Sequence, residues 1–139
     1  MKHIDLSILN QYIGVDIVYE LILKNIQQYT TKNVNFAVKN IVSDPLPYAD
    51  LILCRDCMNH LLFLDIFNVL INFKNSNSKY LLLTTYPSIE YNSDLTEAGK
   101  WRALNFTKNP FNFPKPLLLM DENHQKKHIG LWKISDLPI

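Results

Sequence analysis

The chain has 139 residues, of which 47% are hydrophobic, and its formal net charge is +1. This length and apolar fraction predict a single globular domain with its own core, and the dispersed basic residues argue against a nucleic-acid surface. No apolar run approaches the ~18–20 residues that cross a bilayer, and the start Met1-Lys2-His3 lacks a secretory signal. We therefore expect a cytoplasmic protein with neither a membrane nor a nucleic-acid partner.

Strand and helix patterns alternate along the chain. Four apolar segments read as strands, at residues 12–16, 34–38, 49–54 and 79–85. Apolar residues at helical spacing predict helices over about 18–30 and 62–73. Residues 117–120 and 128–134 read as a closing antiparallel pair. This order predicts an α/β fold with a mostly parallel sheet and a terminal antiparallel hairpin.

The segment 86–116 is too long for a plain connection, because structureless loops beyond about 12–15 residues are usually functional or disordered. Its aromatic residues Trp101, Phe106, Phe111 and Phe113 argue against disorder. We expect a packed flap over the strand ends, within a single domain that covers residues 1–139.

Four landmarks then occur in the order of a known family. They are Tyr12-Ile-Gly-Val-Asp16, Phe36-Ala-Val-Lys-Asn40-Ile41, the segment from Asp44 to Asp56, and Lys79-Tyr-Leu-Leu-Leu-Thr-Thr85. Together they resemble a class I S-adenosylmethionine-dependent methyltransferase, from its second strand to its terminal antiparallel strand. The resemblance implies a Rossmann-like sheet, S-adenosyl-L-methionine as cofactor, and methyl transfer to an unidentified acceptor, for which we favour a small molecule.

One departure from the family concerns its first strand and glycine-rich turn. The chain contains three glycines, Gly14, Gly99 and Gly130, too scattered to form that turn. We expect an amino-terminally truncated enzyme in which residues 1–10 are the tail of the family's first helix and its exit loop. The alternative is a shorter domain that re-pairs its sheet around the gap, with a partner's strand or within a homo-oligomer.

The resemblance assigns the nucleoside of the cofactor to the first two strand ends. Asp16 would bind the ribose hydroxyls, Ile17 and Ile41 would enclose the adenine, and Asn40 would accept a hydrogen bond from the adenine amine, where the family usually has Asp. Each residue also has a structural reading. Asp16 could cap the helix that begins near Val18, Asn40 could cap a strand end, and the two isoleucines could belong to the core.

Cys54-Arg-Asp-Cys57 has the spacing of a redox pair or half a zinc site. The charged middle and the lack of a second cysteine pair disfavour both, so we predict no metal site. We assign Cys54 and Arg55 to the cofactor side of the strand end, although Cys54 also reads as a small buried hydrophobic residue. Arg55 could instead pair with Asp56, bind a substrate carboxylate or be solvated at the surface. Asp56 lies just past that end, where open α/β sheets bind ligands, and could orient or deprotonate the acceptor. His60 is a candidate general base, although a lone histidine is more often structural.

Within the flap, we expect Trp101, Arg102 and Asn105 to contact the acceptor, with Trp101 mostly buried. The alternative is that these side chains only fasten the flap to the sheet. Two other functions compete with methyl transfer. A non-catalytic remnant or assembly partner would keep the fold without the cofactor, and a nicotinamide-dependent oxidoreductase is disfavoured because its dinucleotide fingerprint is absent from the sequence.

Overall fold

A computed structural model describes residues 8–139, and the chain divides into two compact units, Met1–Asp44 and Pro45–Ile139. The first unit is a β-α-β motif. Strand β1 (Tyr12–Asp16) leads into helix α1 (Tyr19–Tyr29), and β2 (Val34–Val38) returns parallel to β1. The crossover helix is what allows two sequential strands to run parallel.

Gly14 of β1 has a packing role. It pairs with Phe36 of β2, and a Cβ atom on Gly14 would lie 2.6 Å from the Phe36 ring. The glycine therefore makes room for an aromatic ring across the strand pair.

The second unit contains a four-stranded sheet and one α-helix. Its elements are β3 (Leu51–Cys54), a 3₁₀ helix (Met58–His60), α2 (Phe63–Asn75), β4 (Tyr80–Thr85), β5 (Leu118–His124), β6 (Lys127–Lys133) and a second 3₁₀ helix (Ile134–Asp136). The strand order is β3-β4-β6-β5. Strands β3 and β4 are parallel, whereas β6 runs antiparallel to both of its neighbours.

The core of the second unit joins α2, the sheet and the flap. The buried apolar side chains of α2 recur at helical spacing, at Ile66, Val69, Leu70 and Phe73. Burial of this stripe and of Trp132 on β6 supplies the main driving force for folding of the unit.

The flap contributes its own aromatic cluster to this core. Phe106 lies 4.8 Å from Phe111 and 5.3 Å from Phe113, between ring centroids, and Phe113 meets Trp132 edge to face at 5.5 Å. These three flap phenylalanines are buried. The part of the flap that carries Phe106, Phe111 and Phe113 is therefore packed into the core, which agrees with the argument against disorder, and the position of the flap over the strand ends stays a prediction.

The predicted order of strands and helices and the closing antiparallel hairpin are confirmed. The expected predominance of parallel strands is not, because residues 8–139 contain two parallel and two antiparallel strand pairs. The fold is α/β with mixed pairing. The missing first strand and the single domain stay predictions, and the interpretation of residues 1–10 falls largely outside the described residues. Among residues 8–139, no helix is both long and apolar enough to cross a membrane.

Candidate functional site

In the first unit, the carboxyl ends of β1 and β2 carry the residues assigned to the nucleoside. Asp16 ends β1 and is half-buried, and its Oδ1 accepts a hydrogen bond from the Val18 N–H at 2.9 Å. This bond closes a local turn ahead of α1 and is not a helix cap, because Val18 itself holds the N-cap position and no side chain caps the helix. Asp16 Oδ2 makes no hydrogen bond within the described chain, and the neighbouring Ile17 side chain is 63% exposed. Among residues 8–139, a carboxylate oxygen without a hydrogen bond therefore lies next to an exposed apolar side chain.

The β2 end forms a tight turn around Asn40. The Asn40 N–H donates to Asp44 Oδ2 at 2.9 Å, and its amide Oδ1 accepts from the Val42 N–H at 3.0 Å. That oxygen is the atom expected to face an adenine amine, and a carbonyl oxygen has a second lone pair for this purpose. Ile41 lies half-buried inside the turn. The Lys39 N–H donates to the Asp16 carbonyl at 2.9 Å, which holds the two strand ends side by side.

In the second unit, four charged side chains form a closed ring beyond the end of β3. Lys127 Nζ lies 2.9 Å from Asp56 Oδ2 and 3.5 Å from Glu122 Oε2. Arg55 closes the ring, with Nε 2.8 Å from Glu122 Oε1 and Nη1 3.3 Å from Asp56 Oδ2. The hydrogen bond to Asp56 raises the pKa of Lys127. The hydrogen bond to Glu122 likewise raises the pKa of Arg55.

The backbone of Asp56 is fixed in a strained conformation. Its φ is +54°, in the left-handed region that non-glycine residues adopt infrequently. The constraint comes from β4, because the Asp56 N–H donates to the buried Thr84 Oγ1 at 2.9 Å. Tyr86 follows β4, and burial together with the Asp56 charge raises its pKa. Asp56 is thus a charged group held rigidly at the carboxyl end of two parallel strands.

The other candidate residues near this strand end, Cys54 and His60, are not part of the charged ring. Cys54 is buried, and its interaction with Cys57 together with desolvation raises the Cys54 pKa well above its usual value. Neither cysteine forms a disulfide bond. His60 lies half-buried in the first 3₁₀ helix, where its carbonyl accepts from the Gly99 N–H at 3.0 Å. Within residues 8–139 neither a hydrogen bond nor an ion pair joins His60 to Asp56.

The three flap residues assigned to the acceptor occupy different environments. Trp101 is 54% exposed and meets Tyr86 edge to face at 5.9 Å, so the expectation that it is mostly buried is wrong. The main chain next to Trp101 is held by a hydrogen bond from the Arg102 N–H to the Asn59 carbonyl. This position leaves the Trp101 side chain at the surface. Asn105 is 2% exposed and bonds within the flap, to the carbonyls of Pro87 and Ile89.

Arg102 is buried, at 9% exposure, and more of its hydrogen-bond donors lack a partner among the described residues than is the case for Trp101 or Asn105. Its Nη1 reaches the Asn59 carbonyl at 3.4 Å, and its guanidinium lies 4.9 Å above the Phe63 ring. Its Nε and Nη2 have no hydrogen-bond partner among the described residues, and neither has Asn59 Oδ1. Asp94 Oδ1 is 3.5 Å from Nη2, which is an ion-pair distance.

Lys127 and Glu122 of the charged ring, and Thr84, which accepts from the Asp56 N–H, were not identified from the sequence. Their signal was weak, because the ring depends on the antiparallel register that places Thr85 opposite His128, next to Lys127. The only indication of the charged ring in the sequence was Lys127, a cationic residue at the start of a largely apolar strand. Within residues 8–139, no group of three or more His, Cys, Asp or Glu residues is placed to hold a metal ion.

Comparison with known proteins gives one kind of match. No family model and no curated protein matches this chain. Among solved structures, the chain is similar to human N-acetylserotonin methyltransferase in complex with SAM, with a TM-score of 0.61 and 13% identity. The match covers 88% of this chain but only 40% of that methyltransferase. At this identity the likeness shows only that the two chains share a fold.

Proposed function

We propose that this chain takes part in S-adenosylmethionine-dependent methyl transfer. The first unit supplies the nucleoside contacts, with Asp16 for the ribose, Ile17 and Ile41 for the adenine faces and Asn40 for the adenine amine. The second unit supplies the acceptor side, with Asp56 as the central group. The similarity of the fold to a SAM-bound methyltransferase supports this assignment.

The observation that carries the proposal is the state of Asp16. One carboxylate oxygen accepts from the Val18 N–H in the turn ahead of α1, and the other has no hydrogen-bond partner in the described chain. A half-buried carboxylate that gives one oxygen to the fold and keeps one available can accept a ribose hydroxyl proton in a charge-assisted hydrogen bond. Ile17 offers apolar surface beside it. The residues present therefore fit a nucleoside.

When bound, the cofactor would supply an activated methyl group. The protein's part is to hold the acceptor in line and, where the acceptor carries a proton, to remove it. Asp56 is suited to holding the acceptor, because Lys127 and Arg55 fix its carboxylate in place while its side chain stays 40% exposed. Cys54 and Arg55 would border the cofactor, and His60 is the alternative proton acceptor.

A non-catalytic role is the second candidate. The observation in its favour concerns the glycines. Gly14 leaves space for the Phe36 ring and Gly130 leaves space for the Trp132 ring, so the role of both is packing rather than cofactor binding. A chain without a glycine-rich turn would bind the methionine part of the cofactor poorly. A protein of this kind would act as an assembly partner that keeps the fold.

A comparison of adenosine with 2′-deoxyadenosine tests the nucleoside assignment without the methionine part. We expect adenosine to shift the amide resonances of Asp16, Ile17 and Ile41 saturably, and deoxyadenosine to bind several-fold more weakly. Asp16→Asn keeps an oxygen for the Val18 N–H but loses the charge, so adenosine affinity should fall at least tenfold, the factor expected from roughly 1.5–3 kcal/mol.

Glu20→Gln is the matched control, because it removes an acidic charge from the first turn of the same helix. Its adenosine affinity should equal that of the wild-type chain. Equal binding of both nucleosides, or equal losses in the two variants, would contradict the assignment of Asp16.

A further inference from the structure

One edge of the buried Arg102 guanidinium, here called the open edge, makes no hydrogen bond within residues 8–139, although its Nη2 lies at ion-pair distance, 3.5 Å, from Asp94 Oδ1. Nε and Nη2, the two nitrogens without hydrogen-bond partners in the described chain, point their N–H bonds in the same direction. This edge is the one with which arginine binds carboxylates and phosphates through two parallel hydrogen bonds. Leaving it unsatisfied in a side chain that is 9% exposed is costly, since a buried donor loses its water without gaining a partner.

A second donor converges on the same place. Helix α2 has 13 residues, and its first N–H, that of Phe63, donates to Asp94 Oδ1 at 2.9 Å. Arg102 Nη2 approaches that same oxygen. The amino end of a helix attracts negative charge because its first N–H groups are unpaired and its dipole is positive there. The helix end and the arginine edge thus face one acceptor position.

Asp94 fills this position incompletely. Its Oδ1 already accepts from Phe63 N–H and from Leu95 N–H at 2.8 Å, and Nη2 is left at 3.5 Å. Burial lowers the pKa of Arg102, and the charge of Asp94 opposes this without cancelling it. The Asp94 side chain is 43% exposed, so it can leave without crossing a packed core.

We propose that the open edge of Arg102 and the amino end of α2 form a binding site for a carboxylate group of a small molecule. When no ligand is bound, the Asp94 carboxylate takes the position that the ligand carboxylate would take. This carboxylate site deepens the proposed function, on which it rests for one point only: that its ligand is the methyl acceptor. The site lies in the same unit as Asp56, between the flap residues Asp94 and Arg102 and the start of α2, and an acceptor is expected at the flap.

Acetate is a suitable probe, because it has the size and charge of the aspartate side chain end. The assay follows the amide resonances of Phe63 and Leu95 during titration with sodium acetate, at constant ionic strength set with sodium chloride. Asp94→Asn keeps an oxygen for both N–H groups but removes the competing charge. It should bind acetate at least about tenfold more tightly than the wild-type chain, the factor expected from one charge-assisted hydrogen bond.

Glu97→Gln is the matched control, since Glu97 lies on the same segment and pairs only with the exposed Lys100 at 3.1 Å. It should behave as the wild-type chain does. Adding Arg102→Met to Asp94→Asn should abolish saturable acetate binding. If that double variant does not fold, the contrast between Asp94→Asn and Glu97→Gln still decides the matter.

Three results would overturn the carboxylate site. They are no saturable response in Asp94→Asn, the same gain in Glu97→Gln, or a response that survives the loss of Arg102. Inorganic phosphate in place of acetate is the final arm, and tight phosphate binding without acetate binding would also refute the site. None of these assays contains a nucleoside, so their failure is distinguishable from failure of the proposed function.

Discussion

Replacing Lys127 with methionine tests the charged ring around Asp56. Methionine keeps the apolar stem of the side chain but removes an ammonium that is hydrogen-bonded to Asp56 at 2.9 Å and 3.2 Å. Breaking a fully buried ion pair costs about 3–5 kcal/mol, whereas exposed pairs contribute about 0–1 kcal/mol. The Lys127 side chain is 9% exposed but that of Asp56 is 40% exposed, and Arg55 remains beside Asp56.

We therefore expect a loss between these limits, about 2 kcal/mol, which corresponds to a fall in Tm of roughly 6–8 °C for a chain of this size. The assay is thermal and urea unfolding at pH 7. Lys126→Met is the control, because it makes the same change at an exposed neighbour and should cost less than about 0.5 kcal/mol. Equal losses in the two variants would refute the role given to Lys127.

The same pair of proteins has an expected pH dependence. The pKa of Lys127 is raised in the folded chain, chiefly by its hydrogen bond to Asp56. A raised pKa stabilises the fold fully below the unfolded value of about 10.4, and this contribution is lost as the pH rises through the folded pKa. The stability gap between wild type and Lys127→Met should thus be constant from about pH 7 to 10 and close above that range. A gap that widens at alkaline pH would contradict the pairing.

Two further predictions concern the flap and the thiols. Asn105→Ala should cost about 2–3 kcal/mol and make the flap sensitive to limited proteolysis, because it leaves the carbonyls of Pro87 and Ile89 without their donor. Asn75→Ala, at an exposed helix end, should do neither, and a proteolysis-resistant Asn105→Ala would count against this role. Alkylation at about pH 8 should modify Cys57 well before Cys54, because burial and the raised pKa keep Cys54 a thiol; mass spectrometry showing the reverse order would be inconsistent with that.

Much of the fold could be predicted because its signals are local. The strand at Tyr12–Asp16 and the helix at Tyr19–Tyr29 follow from apolar spacing within the segment itself. The mixed pairing could not be predicted in the same way, since β6 inserts between β4 and β5 and each strand's apolar run is compatible with either direction. Direction is decided by connections and neighbours, which a single segment does not encode.

The candidate site residues at the ends of strands could be predicted from the sequence. Asp16 and Asp56 follow apolar strands, and the structure places each at the carboxyl end of a parallel pair. The partners of Asp56 were not predictable, because Lys127 reaches it from 71 positions along the chain. Likewise Asp94 has no sequence signal, since its approach to Arg102 depends on the path of the whole flap.

The most direct test of the central claim is an amide-resolved titration of this chain with S-adenosylhomocysteine. Because no glycine-rich turn holds the methionine part, we predict weak binding, with a Kd above about 1 mM. We also predict saturable shifts centred on Asp16, Ile17, Asn40 and Ile41. Absence of these shifts at saturation, or shifts centred on other residues, would contradict the assignment of the nucleoside to this unit. Micromolar affinity would show that the glycine-rich turn is dispensable.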